Sequence, residues 1–285
     1  LSTLFVLCAF FGMKKQHDHH ILSSSPWPIF LSICAFITAF GLVGVIHKTV
    51  TGLVLFSCGT AATICVLYCW WRDVVVEAIR DKCFTFIVKK GLRIGLSMLI
   101  LSETMFFFAF FWSFFKAWLF PAYQLVDYSQ KVATVWPPVG IETVSAWSLP
   151  FMNTVTLLLS GCTITWSHHY LMIDDIKSSL KMLAFTIGLG LVFSTFQLIE
   201  YLHAGFAFSE EGLKAVYSSN FYMATGFHGL HVLMGIVFLI VCWIRMFRGQ
   251  MSSDCHIGFE CAAWYWHFVD VVWLFLFLFM YVISS

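Results

Sequence analysis

The chain has 285 residues, 60% of them hydrophobic and 11% charged, with a mean hydropathy of +0.86 and a formal net charge of +1. A soluble core of this size cannot hide that much apolar surface, so the composition is that of an integral membrane protein. Sixteen Lys and Arg scattered between apolar runs form no basic patch, which excludes nucleic acid as a partner.

Residues 1–25 form an N-terminal segment expected on the matrix side. Its apolar run, Leu1 to Gly12, is too short to span and is followed rather than preceded by Lys14 and Lys15, the reverse of a secretory signal. The chain opens on Leu and shows no Arg- and Ser-rich presequence, so synthesis inside an organelle is expected. Pro26 and Pro28 then open a first span, about residues 28–46, because proline is tolerated in the first helical turn. A second span covers about residues 51–71, and the short connection His47–Thr49 makes the two a helical hairpin, residues 26–73.

Arg72 to Lys90 is expected as a charged loop, and Gly91 to Phe120 as a third span. Thirty residues make about 45 Å of helix against a hydrocarbon core of about 30 Å, so this span must tilt or project. A long loop, Pro121 to Leu149, contains WPPVGI (Trp136 to Ile141). Span four follows at Pro150–Met172, a polar turn at Asp174–Lys181, span five to about Phe208, and a loop around Glu210, Glu211 and Lys214. Span six covers Asn220–Ile244 and span seven Gly258–Ile283. The expected fold is all-α, a polytopic bundle of seven transmembrane helices, with residues 74–285 supplying a loop and a five-helix bundle in one membrane domain. Twelve Lys and Arg fall on the N-terminal side of the membrane and four on the other, which puts the N-terminus in the matrix or cytoplasm and Ser285 opposite.

Span seven reads GFECAAWYWHFVDVVWLFLFLFMYVI and carries Glu260, His267 and Asp270. Helical spacing sets Ala263, Trp266, His267, Asp270, Trp273, Leu274 and Phe277 on one face. A carboxylate at this depth is costly, so Asp270 is expected to face protein or a bound polar group. Glu103 lies twelve residues into span three with Phe106, Phe107 and Phe110 on its face, and burial there disfavours its charged form. It is read as a buried carboxylate and a proton or lipid site, against a hydrogen-bonded helix tie. Gln197, Glu200, Tyr201 and His203 read as a polar seam of span five, and His228 and His231, one turn apart in GFHGLH, as sharing a face of span six. Glu200, His228, His231, His267 and Asp270 together make an expected intramembrane polar network.

Cys34, Cys58, Cys65, Cys69, Cys162 and Cys242 fall inside apolar spans and are expected as small buried side chains; without a CxxC pair, no structural zinc is expected. A membrane di-iron oxygenase would use histidine boxes, for which the chain offers His17, His19 and His20, His168 with His169, and His228 with His231. The last pair lies too deep in its span and the HxxHH spacing is absent, so no catalytic or metal-ligating residue is assigned. A proton-coupled transporter built on Glu103, Glu200 and Asp270 lacks the paired Gly/Pro interruptions that often mark substrate sites.

SPWP before the first span, WWRD (Trp70 to Asp73), KGLR from Lys90, Ser102-Glu103, WPPVGI, TWSHH (Thr165 to His169), TGFHGLH (Thr225 to His231) and GFECAAWYWHFVDVVW occur in order from about Met13 to the C-terminus. In this the chain resembles the third subunits of haem-copper cytochrome c oxidases. The resemblance implies seven helices in the mitochondrial inner membrane or, less favoured, a bacterial plasma membrane, the first two splayed from the other five by a cleft that holds phospholipid. It implies a non-catalytic core subunit of respiratory complex IV, supporting oxygen reduction by cytochrome c coupled to proton pumping. The haems and coppers are then in subunits I and II, the chain itself holds no redox centre, and its partners are subunits I and II, accessory subunits and phospholipids. Glu103 matches the family's buried glutamate, and Trp70, Trp71, Glu77 and Arg93 are implied to line the lipid cleft. The chain departs from the pattern at Val76, where an Arg is usual, and at Phe84-Thr85, where a His-Thr pair is usual, so two headgroup donors are missing.

Overall fold

The computed structural model describes residues 24–80, 85–120, 136–138, 141–208 and 213–284, with Arg80 and Leu213 described by their backbone alone. The N-terminal segment to residue 23 with its Lys14, Lys15 and three histidines, and also Asp81, Lys82, Phe84, Lys131, Val139, Gly140, Glu210, Glu211 and Ser285, lie outside the described residues. Among the described residues seven α-helices follow one another: α1 Trp27–Ile46, α2 Val50–Arg80, α3 Phe86–Leu119, α4 Leu149–Met172, α5 Ile176–His203, α6 Leu213–Phe247 and α7 Ile257–Leu276, the last continued by a π-helical segment, Phe277–Val282. Six of them, all but α4, are long and apolar enough to cross a membrane. The chain is an all-α polytopic membrane protein. It divides into two compact units, one up to Leu92 and one from Arg93 onward.

In the first unit, α1 and α2 pack against each other. The turn between α1 and α2 closes with Lys48 in the left-handed region at φ 55°. Gly44 and Gly52 sit where the helices meet: a Cβ on Gly44 would lie 2.6 Å from the Cα of Gly52, so only glycine allows this backbone approach. Further along, the hydroxyls of Thr38 and Thr63 meet at 3.3 Å, and at the open end Trp27 Nε1 donates to Asp73 Oδ2 at 2.8 Å. The outer faces stay apolar, with Phe36, Phe40, Ile64 and Tyr68 all exposed, as suits a surface solvated by lipid. The charged loop expected from Arg72 is corrected: α2 runs on to Arg80 and α3 begins at Phe86. No Gly or Pro interrupts VVVEAIR, so the helix outlasts its apolar part.

In the second unit, α3 uses long aromatic side chains as spacers. Phe107, Phe111 and Phe115, one turn apart, meet Phe268, Phe275 and Phe279 of the last segment, while Phe106 and Phe110 pack on Phe227 of α6. These contacts are mostly edge-to-face, the geometry that ring quadrupoles favour. The α4–α5 pair is held by small and hydroxylated residues instead. Ser167 and Ser179 each donate to the other's carbonyl at 2.9 and 2.8 Å, and Thr163 meets Thr186 at 2.8 Å. Their turn has Asp174 at φ 61°, and Asp175 caps α5 by accepting from Ser178 N at 3.2 Å. Span five is corrected at both ends: the polar turn expected at Asp174–Lys181 is already helical from Ile176, and the helix ends at His203 rather than Phe208.

The α7 helix is the centre of this unit. Trp266 and Trp273 are fully buried; Trp266 Nε1 donates to Ser160 Oγ at 2.9 Å and Trp273 Nε1 to Thr154 Oγ1 at 3.0 Å, tying α7 to α4. Ala263 and Asp270 join them as expected, whereas Leu274 is 38% exposed. Past Leu276 the hydrogen bonds widen to the π pattern, where an unbroken α-helix was expected. The cysteine expectation also needs correction: Cys58, Cys65 and Cys162 are exposed on the helix surfaces, and Cys242 is buried.

Two outcomes follow from this packing. A Cβ on Gly190 would lie 2.8 Å from the Trp266 ring, whereas one on Gly188 would meet nothing within 4 Å. Gly190→Ala should therefore cost about 1–3 kcal/mol, read as a lower Tm of the purified chain, while Gly188→Ala should leave it unchanged or slightly raised. Hydrogen bonds from Ser178 hold the Asp175 carboxyl below its usual range, so its contribution to folding is present above the unfolded value of about 4 and is lost as pH falls through the lowered one. Hydrogen exchange at the start of α5 should accelerate on acidification in the native chain and be independent of pH after correction for intrinsic rates in Asp175→Ala.

Candidate functional site

At membrane depth, Glu103 of α3 meets His231 of α6, with Oε2 and Nε2 2.9 Å apart. The other ring nitrogen, Nδ1, lies 2.6 Å from the carbonyl of Phe227, which can only accept, so Nδ1 carries a proton. One more proton then lies between Nε2 and Oε2. Whether it sits on the acid or on the imidazole, the pair has no net charge, which is how an ionisable residue is held at this depth at low cost. Phe106 and Phe107 pack their rings against His231 at 6.4 and 5.2 Å, and Phe110 packs on Phe106. The Glu103 side chain is 30% exposed, so the expectation of a buried carboxylate is corrected: the phenylalanines pack on His231 and on one another beside it, and its partner is a residue flagged separately.

His228 does not act with His231. It is fully buried, Nε2 donates to the carbonyl of Val269 at 3.1 Å, and its ring lies between Phe193 and Trp273. One turn of α6 thus sends its two imidazoles to different helices. The expectation that they share a face is corrected.

Of the polar residues expected to form a seam on α5, Glu200 and Tyr201 bond to side chains of other elements. Glu200 is 3% exposed and its Oε1 accepts from Tyr281 of the π segment at 2.6 Å. Thr225 donates to the carbonyl of Phe221, so the 2.6 Å contact with Tyr201 has the phenol as donor. His203 lies apart, exposed, and bonds only within its own helix.

His267 and Asp270 border a groove of about 660 Å³ on the outer surface of this unit, shared with Gly161, Cys162, Thr165 and His169 of α4. His267 Nε2 lies 3.2 Å from Thr165 Oγ1, and Asp270 Oδ1 is buried without a hydrogen-bond partner among the described residues. Gly161 makes room for the carboxylate, since a Cβ there would lie 3.0 Å from Oδ2.

At the start of α7, Glu260 holds Arg93 through two bonds, to Nε at 2.9 Å and Nη2 at 3.0 Å. Arg93, implied by the resemblance to face lipid, has its guanidinium on this carboxylate. His256 and His168 approach the same carboxylate, the three ligand atoms lying within 4.8 Å of one another. Nothing in the sequence order pairs His168 with His256; counting spans does, since the end of span four and the start of span seven fall at one membrane face. In the hairpin, Trp71 is 58% exposed, Trp70 and Glu77 are half-buried, and Arg72 pairs with Asp73 at 3.4 Å.

Residues 17–285 match the family described as cytochrome c oxidase subunit III. A curated relative from Chondrus crispus, cytochrome c oxidase subunit 3, is 46% identical over 94% of both chains. A Rickettsia conorii protein described as a probable cytochrome c oxidase subunit 3 is 44% identical over the full length of both, and the Arabidopsis thaliana subunit 3 is 44% identical over 94% of this chain and 97% of its own. A profile match over nearly the whole chain, with relatives at this identity end to end, means that the chain belongs to the cytochrome c oxidase subunit III family.

Proposed function

We propose that this chain is a core subunit of respiratory complex IV that supports the redox subunits without carrying a redox centre of its own. It lies in the mitochondrial inner membrane with its N-terminus in the matrix, the orientation favoured by the Lys and Arg at the helix ends on that side. The observation that carries the supporting role is the groove at Asp270. Asp270 lines an opening on the outer surface of a membrane bundle, where a carboxylate is costly unless a donor reaches it, and another chain entering the groove can supply one. The haem-bearing subunit I is the proposed source of that donor. Phospholipid contact is assigned to Trp70, Trp71 and Glu77, where an exposed indole suits the headgroup level.

Within this reading, the Glu103–His231 pair fastens α3 to α6. The proton between them has a place on either residue, so the pair can also serve as a local proton store where water reaches it. The fastening role takes precedence, because a subunit without a redox centre has no driving force of its own for proton transfer.

Asp270→Asn should keep a polar group for the partner, whereas Asp270→Leu should weaken association by about 1–3 kcal/mol, or roughly 5- to 150-fold. Recovery of the subunit with subunit I on detergent purification measures this; undiminished recovery of Asp270→Leu would count against the groove as the contact. Glu103→Gln can still donate to His231 Nε2 and should assemble and pump normally, while Glu103→Ala strands a buried imidazole nitrogen and should lower the Tm of the subunit by an amount equivalent to about 1–3 kcal/mol. Normal assembly of Glu103→Gln with pumping lost would instead assign the residue a direct proton role.

A further inference from the structure

Among the described residues, two imidazoles, His168 and His256, converge on the Glu260 carboxylate at the start of α7. His256 Nδ1 lies 3.2 Å from the carbonyl of Ser252 and must donate to it, which turns the lone pair of Nε2 outward in the neutral ring. That atom is 3.4 Å from Glu260 Oε1. Two acceptors at that distance repel unless a cation or a proton lies between them. His168 comes in from the end of α4, its ring 5.3 Å from that of His256, and its Nε2 is buried with no hydrogen-bond partner among the described residues. The three side chains come from two helices 88 or more residues apart in sequence, and one ligand atom from each lies within 4.8 Å of the others.

We propose that His168, His256 and Glu260 form a binding site for one divalent transition-metal ion of the Zn2+ class, with a fourth position left to water. Two imidazole nitrogens and one carboxylate oxygen are the donor set of open zinc sites. Donor atoms around a tetrahedral zinc are about 3.3 Å apart, so the His256–Glu260 separation is already close to that value and His168 needs only a ring rotation and a small shift. Arg93 competes for the same carboxylate, but each carboxylate oxygen has two lone-pair sites, so Oε1 can hold the guanidinium and the ion together. His256 and Glu260 side chains are 13% and 17% exposed, which leaves a path for a hydrated ion from the water beyond the α6–α7 turn.

The test is a titration of Zn2+ into the full chain in lipid nanodiscs, in a background where His17, His19 and His20 are changed to Gln so that the N-terminal segment cannot chelate. One saturating equivalent is expected, accompanied by a rise in Tm. His168→Gln and His256→Asn should each weaken binding by roughly 10- to 100-fold or more, and His169→Gln should not. Asn suits the N-cap position that His256 occupies, so that variant loses the imidazole without weakening the helix start. Zinc-edge X-ray absorption of the parent chain gives a second readout, with two imidazole donors in the first shell expected. No saturable equivalent, a first shell without imidazole, or affinity indifferent to both His168 and His256 would overturn the assignment.

Discussion

The second unit depends on the seating of one indole. Trp266 of α7 donates to Ser160 on α4, and its ring lies against Gly190 on α5 and Gly235 on α6, where a Cβ would come within 2.8 and 2.9 Å of it. One side chain therefore touches three neighbouring helices, and two of them approach it only because they lack a side chain at the contact. In lipid there is no gain from removing apolar groups from water, so close packing and a satisfied N–H carry the association. Trp273, two turns further on, repeats the arrangement with Thr154, and the two bonds fix both the rotation and the axial position of α7 against α4.

With α7 fixed, its polar residues are fixed too. Glu260, His267 and Asp270 lie on the same helix as the two tryptophans, and each meets α4 or its end: Glu260 near His168, His267 at Thr165, Asp270 above Gly161. α4 falls short of the apolarity that marks the other six helices as spans, and its hydroxyls turn back on their own carbonyls or across to α5 and α7. Its polarity is tolerable because its neighbours, rather than lipid, receive it.

Much of this was legible from residue order. The helices and their order follow from apolar runs and turn residues, and the need of Glu103 and Glu200 for a bonded partner follows from the cost of charge at depth. Helix ends were not, because falling hydropathy marks where a helix leaves the membrane and not where its hydrogen bonds stop; α2 continues nine residues past Trp71 for that reason. Partners were not legible either. Glu103 and His231 were each visible alone, but 128 residues separate them and only the packing of α3 on α6 joins them. The parting of His228 from His231 was hidden by their spacing, since neighbours one turn apart can still diverge when their rings swing toward different helices.

The π-helical segment Phe277–Val282 has a bearing on how sequence length can vary in this fold. Widening the turn accommodates about one extra residue per π turn without lengthening the helix, so the segment acts as a phase shifter: its C-terminal residues, Tyr281 among them, are rotated by up to about 100° relative to an uninterrupted α-helix. Tyr281 reaches Glu200 through that offset. A single-residue deletion within the segment would restore the ordinary helix and carry the phenol off the glutamate, whereas the tryptophans upstream would keep their places. Length there is tied to the contact at Glu200, and a residue can be gained or lost only together with a change at that contact.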